Sequence, residues 1–277
     1  MLTEALPEIS DGELEQFMQI MLTQYGYDFR GYAHASLKRR LGSVLKKYGL
    51  STLSILNRRL LTQPEYVRYF INEITVSTTE LFRDPSAWIA FRNQALPLFA
   101  ALPEIRIWHV GASTGEEVLS MAILLKETGL YNKARIFATD IDEVSIEKAT
   151  QARYPARLRP LYEQNLQAVL PGKSLSLYAE EAGNQLIFSP DLLQNVRFLR
   201  HNIVTENPFG EFEVILCRNL LIYFIPTLQD QVVTKLVSSL VVGGILMIGT
   251  KESLFWCSAA KQLTSVNDSE RIYRKKR

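Results

Sequence analysis

The stretch IRIWHVGASTGEE, residues 105–117, decides the fold. A β-branched and aromatic run from Ile105 to Val110 breaks at Gly111, turns through Ala112 to Gly115, and enters Glu116, Glu117 and an apolar-periodic segment reaching Thr128. Strand, glycine turn and helix in that order form the opening unit of an α/β sheet. The glycines bring the backbone close to a ligand, and the helix N-terminus faces it.

The same alternation continues downstream. Strands are predicted at 135–139, 196–199, 214–217, 245–248 and 271–274, and helices at 116–128, 143–153 and 227–240. Strands alternating with helices imply a mostly parallel sheet covered on both faces, a doubly wound Rossmann-like α/β domain. Residues 154–195 are too long for a plain crossover and carry Pro155, Pro171, Gly172 and Gly183, so a small inserted β subdomain is expected there, with strands at 175–178 and 185–188. Upstream, Leu14, Phe17, Met18 and Met21, then Leu37, Leu41, Val44 and Leu45, then Leu53, Leu56 and Leu60 recur at helical spacing. The reading is an N-terminal all-helical domain over 1–76 followed by the α/β domain over 77–277.

A chain of 277 residues is long enough for a large core with a smaller helper domain. A formal net charge of +2 carries no polyanion signature, so no nucleic acid partner is expected. Cys217 and Cys257 have neither metal nor redox spacing, and His34, His109 and His201 are too scattered for a metal site. The acidic N-terminus is unlike a secretory signal and no apolar run reaches membrane-spanning length. These features read as a cytoplasmic monomer without membrane insertion.

Ligands of open parallel sheets bind beyond the carboxyl ends of the strands, and the polar motifs fall there. The first loop lacks the dinucleotide spacing and the P-loop lysine. Its paired acids would repel a phosphate but suit the amino group of a methionine-derived cofactor; equally, they are residues a first helical turn favours. ATDID, residues 138–142, puts Asp140 where ribose hydroxyls lie in this fold class, while Asp142 or Glu143 reads as the start of the next helix. CRNLLIYF, residues 217–224, leads from a buried run into Arg218 and Asn219, with Tyr223 either lining a site or packing.

In this order, ASTGEE, ATDID, CRNLLIYF and GGILMIGTKESL (243–254) closely resemble the motifs of the bacterial chemotaxis protein-glutamate O-methyltransferases, the CheR family. TTELFRD, residues 78–84, resembles that family's segment ending Phe-Phe-Arg. The resemblance implies a cofactor, S-adenosylmethionine, whose product is S-adenosylhomocysteine, and contacts to it from Ser77, Thr79, Arg83, Glu116, Asp140, Asn202, Ile203, Arg218 and Asn219, with Gly111 at the turn. It also implies methyl transfer to glutamate side chains of methyl-accepting chemotaxis receptors. The chain departs from the family at Ser77, commonly asparagine, at Leu81, and at His109-Val110-Gly111 before the loop.

Glutamate is ionised at neutral pH, so it attacks a methyl sulfonium without a general base, and the absence of a recognisable catalytic triad agrees with that chemistry. The expected catalytic roles are orientation of a carboxylate by Arg83, lining of the methyl channel by Tyr223, and steering by Arg92. Lys38, Arg39, Arg40, Lys46 and Lys47 share one helix and read either as a solvated face or as a docking surface for the acidic helices of the receptor. The rival readings are an RNA methyltransferase and a non-catalytic module binding S-adenosylmethionine or S-adenosylhomocysteine.

Overall fold

Ser10 opens the first helix with a capping box: its hydroxyl accepts from Glu13 N–H while the Glu13 carboxylate reaches back to Ser10 N–H. The computed structural model describes residues 7–75 and 79–276, so Ser77 lies outside the described residues. Helices α1 (Asp11–Tyr25), α2 (His34–Lys47), α3 (Leu53–Thr62) and α4 (Tyr66–Ile74) follow one another. Their apolar stripes close a core of their own around Phe17, Met21, Leu41, Leu56 and Phe70.

After α5 (Pro85–Ala90) the sheet begins: β1 (Ile105–Val110), α6 (Glu116–Glu127), β2 (Ala134–Asp140), α7 (Glu143–Gln151), then the insertion, then β6 (Val196–Arg200), β7 (Phe212–Cys217), α9 (Pro226–Ser238), β8 (Leu240–Ile248), β9 (Leu263–Asn267) and β10 (Ile272–Lys275). The insertion holds β3 (Arg153–Pro155), α8 (Arg159–Val169), β4 (Ala179–Ala182) and β5 (Gln185–Phe188). The main sheet has seven strands in the order β6-β2-β1-β7-β8-β10-β9, parallel except where β10 runs against both neighbours. One face packs on α5, α6 and α8, the other on α9. Nearly every residue of α6 from Glu116 to Leu125 is buried, because the insertion covers the side away from the sheet.

The insertion differs from expectation in two ways. Residues 175–177 form a 3-10 turn started by Ser174, and the strand is β4 with the sequence AEEA, paired Ala179 to Phe188. β4 is an exposed edge, which needs no apolar alternation and so leaves none to read. The insertion also holds a helix: α8 presses Tyr162, Leu166 and Val169 into the core. The predicted helix 143–153 also stops two residues early, because Ala152 turns left-handed and Arg153 pairs with Ile187. Among the described residues no helix is long and apolar enough to cross a membrane, and no cluster of metal-ligating side chains occurs.

The helical bundle meets the sheet domain through the backbone. Ala33 N–H donates to Tyr223 O and Ile225 N–H to Gly31 O, both at 2.9 Å, with Tyr32 edge-on to Phe224 at 5.0 Å. A Cβ on Gly31 would stand 2.6 Å from Leu228 Cδ2 and 3.0 Å from its Cβ, so a larger residue must displace that leucine. Gly31→Val is expected to cost about 1–3 kcal/mol and to expose the 31–33 segment to limited proteolysis; an unchanged urea midpoint would show that the contact is dispensable.

Candidate active site

The chain runs from β1 outward through β2 to β6 before β7 returns to the other side of β1, so strand order reverses between β1 and β7. A cleft opens at their carboxyl ends. Three residues of the first loop have left-handed backbone, Gly111 at φ +74°, Ser113 at +50° and Gly115 at +93°. Gly115 is obligatory, since a Cβ there would lie 2.8 Å from that of Ala149. Gly111 and Ala112 both donate their N–H to Thr139 O at 2.9 Å, which ties the loop to the end of β2.

At that end Asp140 accepts from Ser113 N–H at 2.8 Å through one oxygen and from Asp142 N–H at 2.9 Å through the other. Burial pushes its carboxyl up to about 6, against the pull of these two donors. Asp142 has the other role foreseen for it: it caps α7 through Val144 N–H and accepts from Asn72 at 2.6 Å. Beyond β6, Asn202 is buried and accepts from Val204 N–H at 3.1 Å, and Ile203 joins Ile141 in the apolar lining of the cleft.

The cleft has two lobes. The first, about 710 Å³ including the solvent at its mouth, is lined by Asp140, Ile141, Asn202 and Ile203, with Tyr32 and Arg40 supplied by the helical bundle. The second, about 500 Å³ by the same measure, is lined by Thr79, Glu80, Arg83 and Glu117. Gly111, Ser113, Arg218, Asn219 and Tyr223 line both, so the lobes are continuous. Arg218 is buried at their junction, donating to Glu117 at 3.1 Å, to Asp84 at 2.9 Å and to Arg83 O at 3.1 Å.

Two expected site residues stand elsewhere. Arg92 lies on the turn after α5, donating to Val169 O at the end of α8 and to Asn93 at 3.0 Å. Glu116 points away from the cleft: its carboxylate accepts from Thr114 at 2.7 Å and from Tyr162 of the insertion at 3.0 Å. Adjacent helical residues diverge by about 100°, and it is Glu117 that faces the second lobe. The structure also brings in two residues that sequence reading did not place in the site. Arg40, counted with the basic helix face, instead donates to Ile74 O and holds its guanidinium 4.0 Å over the Tyr223 ring. Glu252, buried, accepts from Gly249, Asn219 and Ile222 N–H groups at 2.6–3.2 Å, which fixes the turn that carries Tyr223. Its position at the carboxyl end of β8 was the available signal.

Burial pushes the Glu116 carboxyl up to about 7 against the pull of Thr114 and Tyr162. A raised acid stabilises the fold fully below its ordinary value near 4.5, and that term is lost as pH rises through about 7. Glu116→Gln should therefore gain on wild type, by on the order of 2 kcal/mol between pH 5 and pH 8.5. Urea denaturation at the two pH values checks this, and a gap independent of pH would contradict it.

Residues 12–75 match the family model of the CheR methyltransferase all-alpha domain, and residues 77–271 that of the CheR methyltransferase SAM binding domain. The chain is 36% identical over 266 residues to a Pseudomonas putida protein named "Putative methyltransferase Cher3", covering 96% of this chain and 97% of that one. It is 30% identical over 261 residues to the chemotaxis protein methyltransferase of Vibrio anguillarum, covering 89% and 90% of the two chains. Among solved structures, PKMT2 of Rickettsia typhi superposes on 63% of this chain and 26% of its own at a TM-score of 0.36 and 15% identity. With both family domains present in sequence and a two-lobed cleft at the switch point of the second, the chain belongs to the CheR methyltransferase family and uses S-adenosylmethionine.

Proposed function

We propose that this protein methylates glutamate side chains on the cytoplasmic helices of methyl-accepting chemotaxis receptors, acting in the cytoplasm as a monomer. One observation carries the choice of acceptor. The titratable side chains lining the second lobe are the carboxylates Glu80 and Glu117, the guanidiniums Arg83 and Arg218, and the Tyr223 phenol. Carboxylates are poor bases for an amine or a hydroxyl acceptor, whereas a glutamate arrives already ionised, with a reference pKa of about 4.3.

The cleft fits the cofactor. An acid, Asp140, shares one lobe with the apolar residues Ile141 and Ile203, as a ribose and its base require, and a second acid faces the other, as an α-amino group requires. Thus Asp140, Asn202 and Ile203 would hold the nucleoside, Glu117 the amino group, and Thr79, Arg83, Gly111, Arg218 and Asn219 the span between them. Bound there, S-adenosylmethionine supplies a methyl group on a sulfonium. Tyr223, its ring under Arg40 and its carbonyl held by Ala33 N–H, lines both lobes and helps to exclude water from them. Arg83 orients the incoming carboxylate, and alignment of this kind is worth about 7–11 kcal/mol in well-oriented intramolecular models.

The receptor helix is expected on the outer face of α2, where Arg39, Lys46 and Lys47 are exposed. Lys38 and Lys47 are engaged with Asp11 and Glu73 on the bundle itself, and Arg40 belongs to the cleft. The test is incubation with methyl-labelled cofactor and a purified receptor cytoplasmic fragment. Label in the fragment, released as methanol by alkali, supports glutamyl esters; alkali-stable label, label in RNA, or none overturns the assignment.

A further inference from the structure

His109 is wholly buried near the end of β1. Strand parity puts it on the face of Ile105 and Ile107, which α6 covers, so its ring meets the first turn of that helix. Nδ1 lies 2.9 Å from Glu117 Oε1. Beside a carboxylate Nδ1 carries the hydrogen and donates it. Nε2 is buried with no hydrogen-bond partner among the described residues, so the contact to Glu117 is the hydrogen bond that orients the ring.

Glu117 Oε2 accepts from Arg218 Nη1 at 3.1 Å, and Arg218 is itself anchored on Asp84 and on Arg83 O. A carboxylate offered only a guanidinium tends to turn both oxygens to it in a two-pronged pair. Here the second oxygen is held by the imidazole instead. A carboxylate has about four acceptor positions, and two of them are spent on His109 and Arg218, which leaves an edge for the lobe that Glu117 lines.

We propose that His109 is a positioning residue: its Nδ1–H keeps Glu117 from closing onto Arg218, so that the carboxylate stays turned toward the cleft to receive the ammonium end of the cofactor. This rests on the assignment of that ammonium to Glu117 made above. It also gives the His-Val-Gly run before the first loop a purpose, since the histidine supplies a donor near the carboxyl end of β1.

The test is calorimetric titration of the full chain with two ligands, S-adenosylhomocysteine and 5′-methylthioadenosine, the second lacking the amino-acid end. His109→Ala is expected to weaken the first about tenfold and leave the second within about twofold. His109→Asn, which puts an amide N–H near the Nδ1 position, should recover most of the affinity, and His109→Gln, whose amide reaches toward Nε2, should not. The Asn and Gln variants decide the matter if the alanine variant fails to fold. Equal losses for both ligands, or Asn and Gln variants that behave alike, overturn the proposal. Glu117→Gln separates the two layers: if it spares S-adenosylhomocysteine binding, the ammonium assignment itself is wrong, whereas a selective loss there beside a silent His109 series removes the positioning role alone.

Discussion

Asp140→Ala is expected to weaken S-adenosylhomocysteine binding by at least about a hundredfold, because two sugar hydroxyls lose a charged acceptor worth about 1.5–3 kcal/mol each. The variant also frees Ser113 N–H and Asp142 N–H, which the carboxylate now holds, so part of the loss is loop order. A pH series separates the two contributions. Burial lifts the Asp140 carboxyl to about 6 in the ligand-free protein, and hydroxyl donors require the ionised form. Affinity should therefore be flat above about pH 7 and fall about tenfold per unit below pH 6, as binding becomes coupled to release of one proton. Asp140→Asn should keep much of the loop and lose this slope. Calorimetry at pH 5, 6 and 7.5 measures both effects; wild-type and Asn curves of equal steepness would show that another group titrates.

What the sequence made legible follows from burial. β7 is buried at all six positions, so FEVILC reads as one continuous apolar run, and β1 and β8 announce themselves in the same way. The capped helices of the bundle were readable for the same reason. β4 and β9 were not, because edge strands bury only their first residue or little more, and their sequences AEEA and LTSVN carry turn-like polarity instead of alternation. Rotational phase was the second gap. GEE identifies a helix N-terminus but does not say which glutamate turns to the cleft; the answer depends on where the insertion docks, since Tyr162 takes Glu116. Arg40 illustrates the same point with a usable hint. It sits three residues after Leu37 and one before Leu41, at the border of the apolar stripe of α2, so its flank could have been separated from that of Arg39.

Arg218→Ala is expected to be the most damaging single substitution for stability, at about 3 kcal/mol, since it removes the buried cation of a partly buried ionic cluster and leaves its carboxylates. The side chain is 1% exposed, joins Glu117 to Asp84 and the Arg83 carbonyl, and lies 5.7 Å from the Trp88 ring centroid. Glu117 is pushed up by burial, but the His109 hydrogen bond and the Arg218 charge outweigh that and hold it below its ordinary value. A lowered carboxyl contributes stability present above its unfolded pKa and lost as pH falls through the folded one. Without Arg218, Glu117 becomes a partly buried anion that keeps only the His109 hydrogen bond, a state that protonation relieves. The deficit of the variant should accordingly be largest at pH 8 and shrink toward pH 5, whereas loss of packing alone would give a deficit that does not change with pH. Arg218→Lys should recover less than half of it, because a single ammonium cannot reach Glu117, Asp84 and a carbonyl at once. Urea midpoints at the two pH values decide this: a deficit unchanged by pH would mean that Arg218 acts by filling space, and the charge cluster could then no longer explain how residues 83 and 84 are held against the end of the sheet.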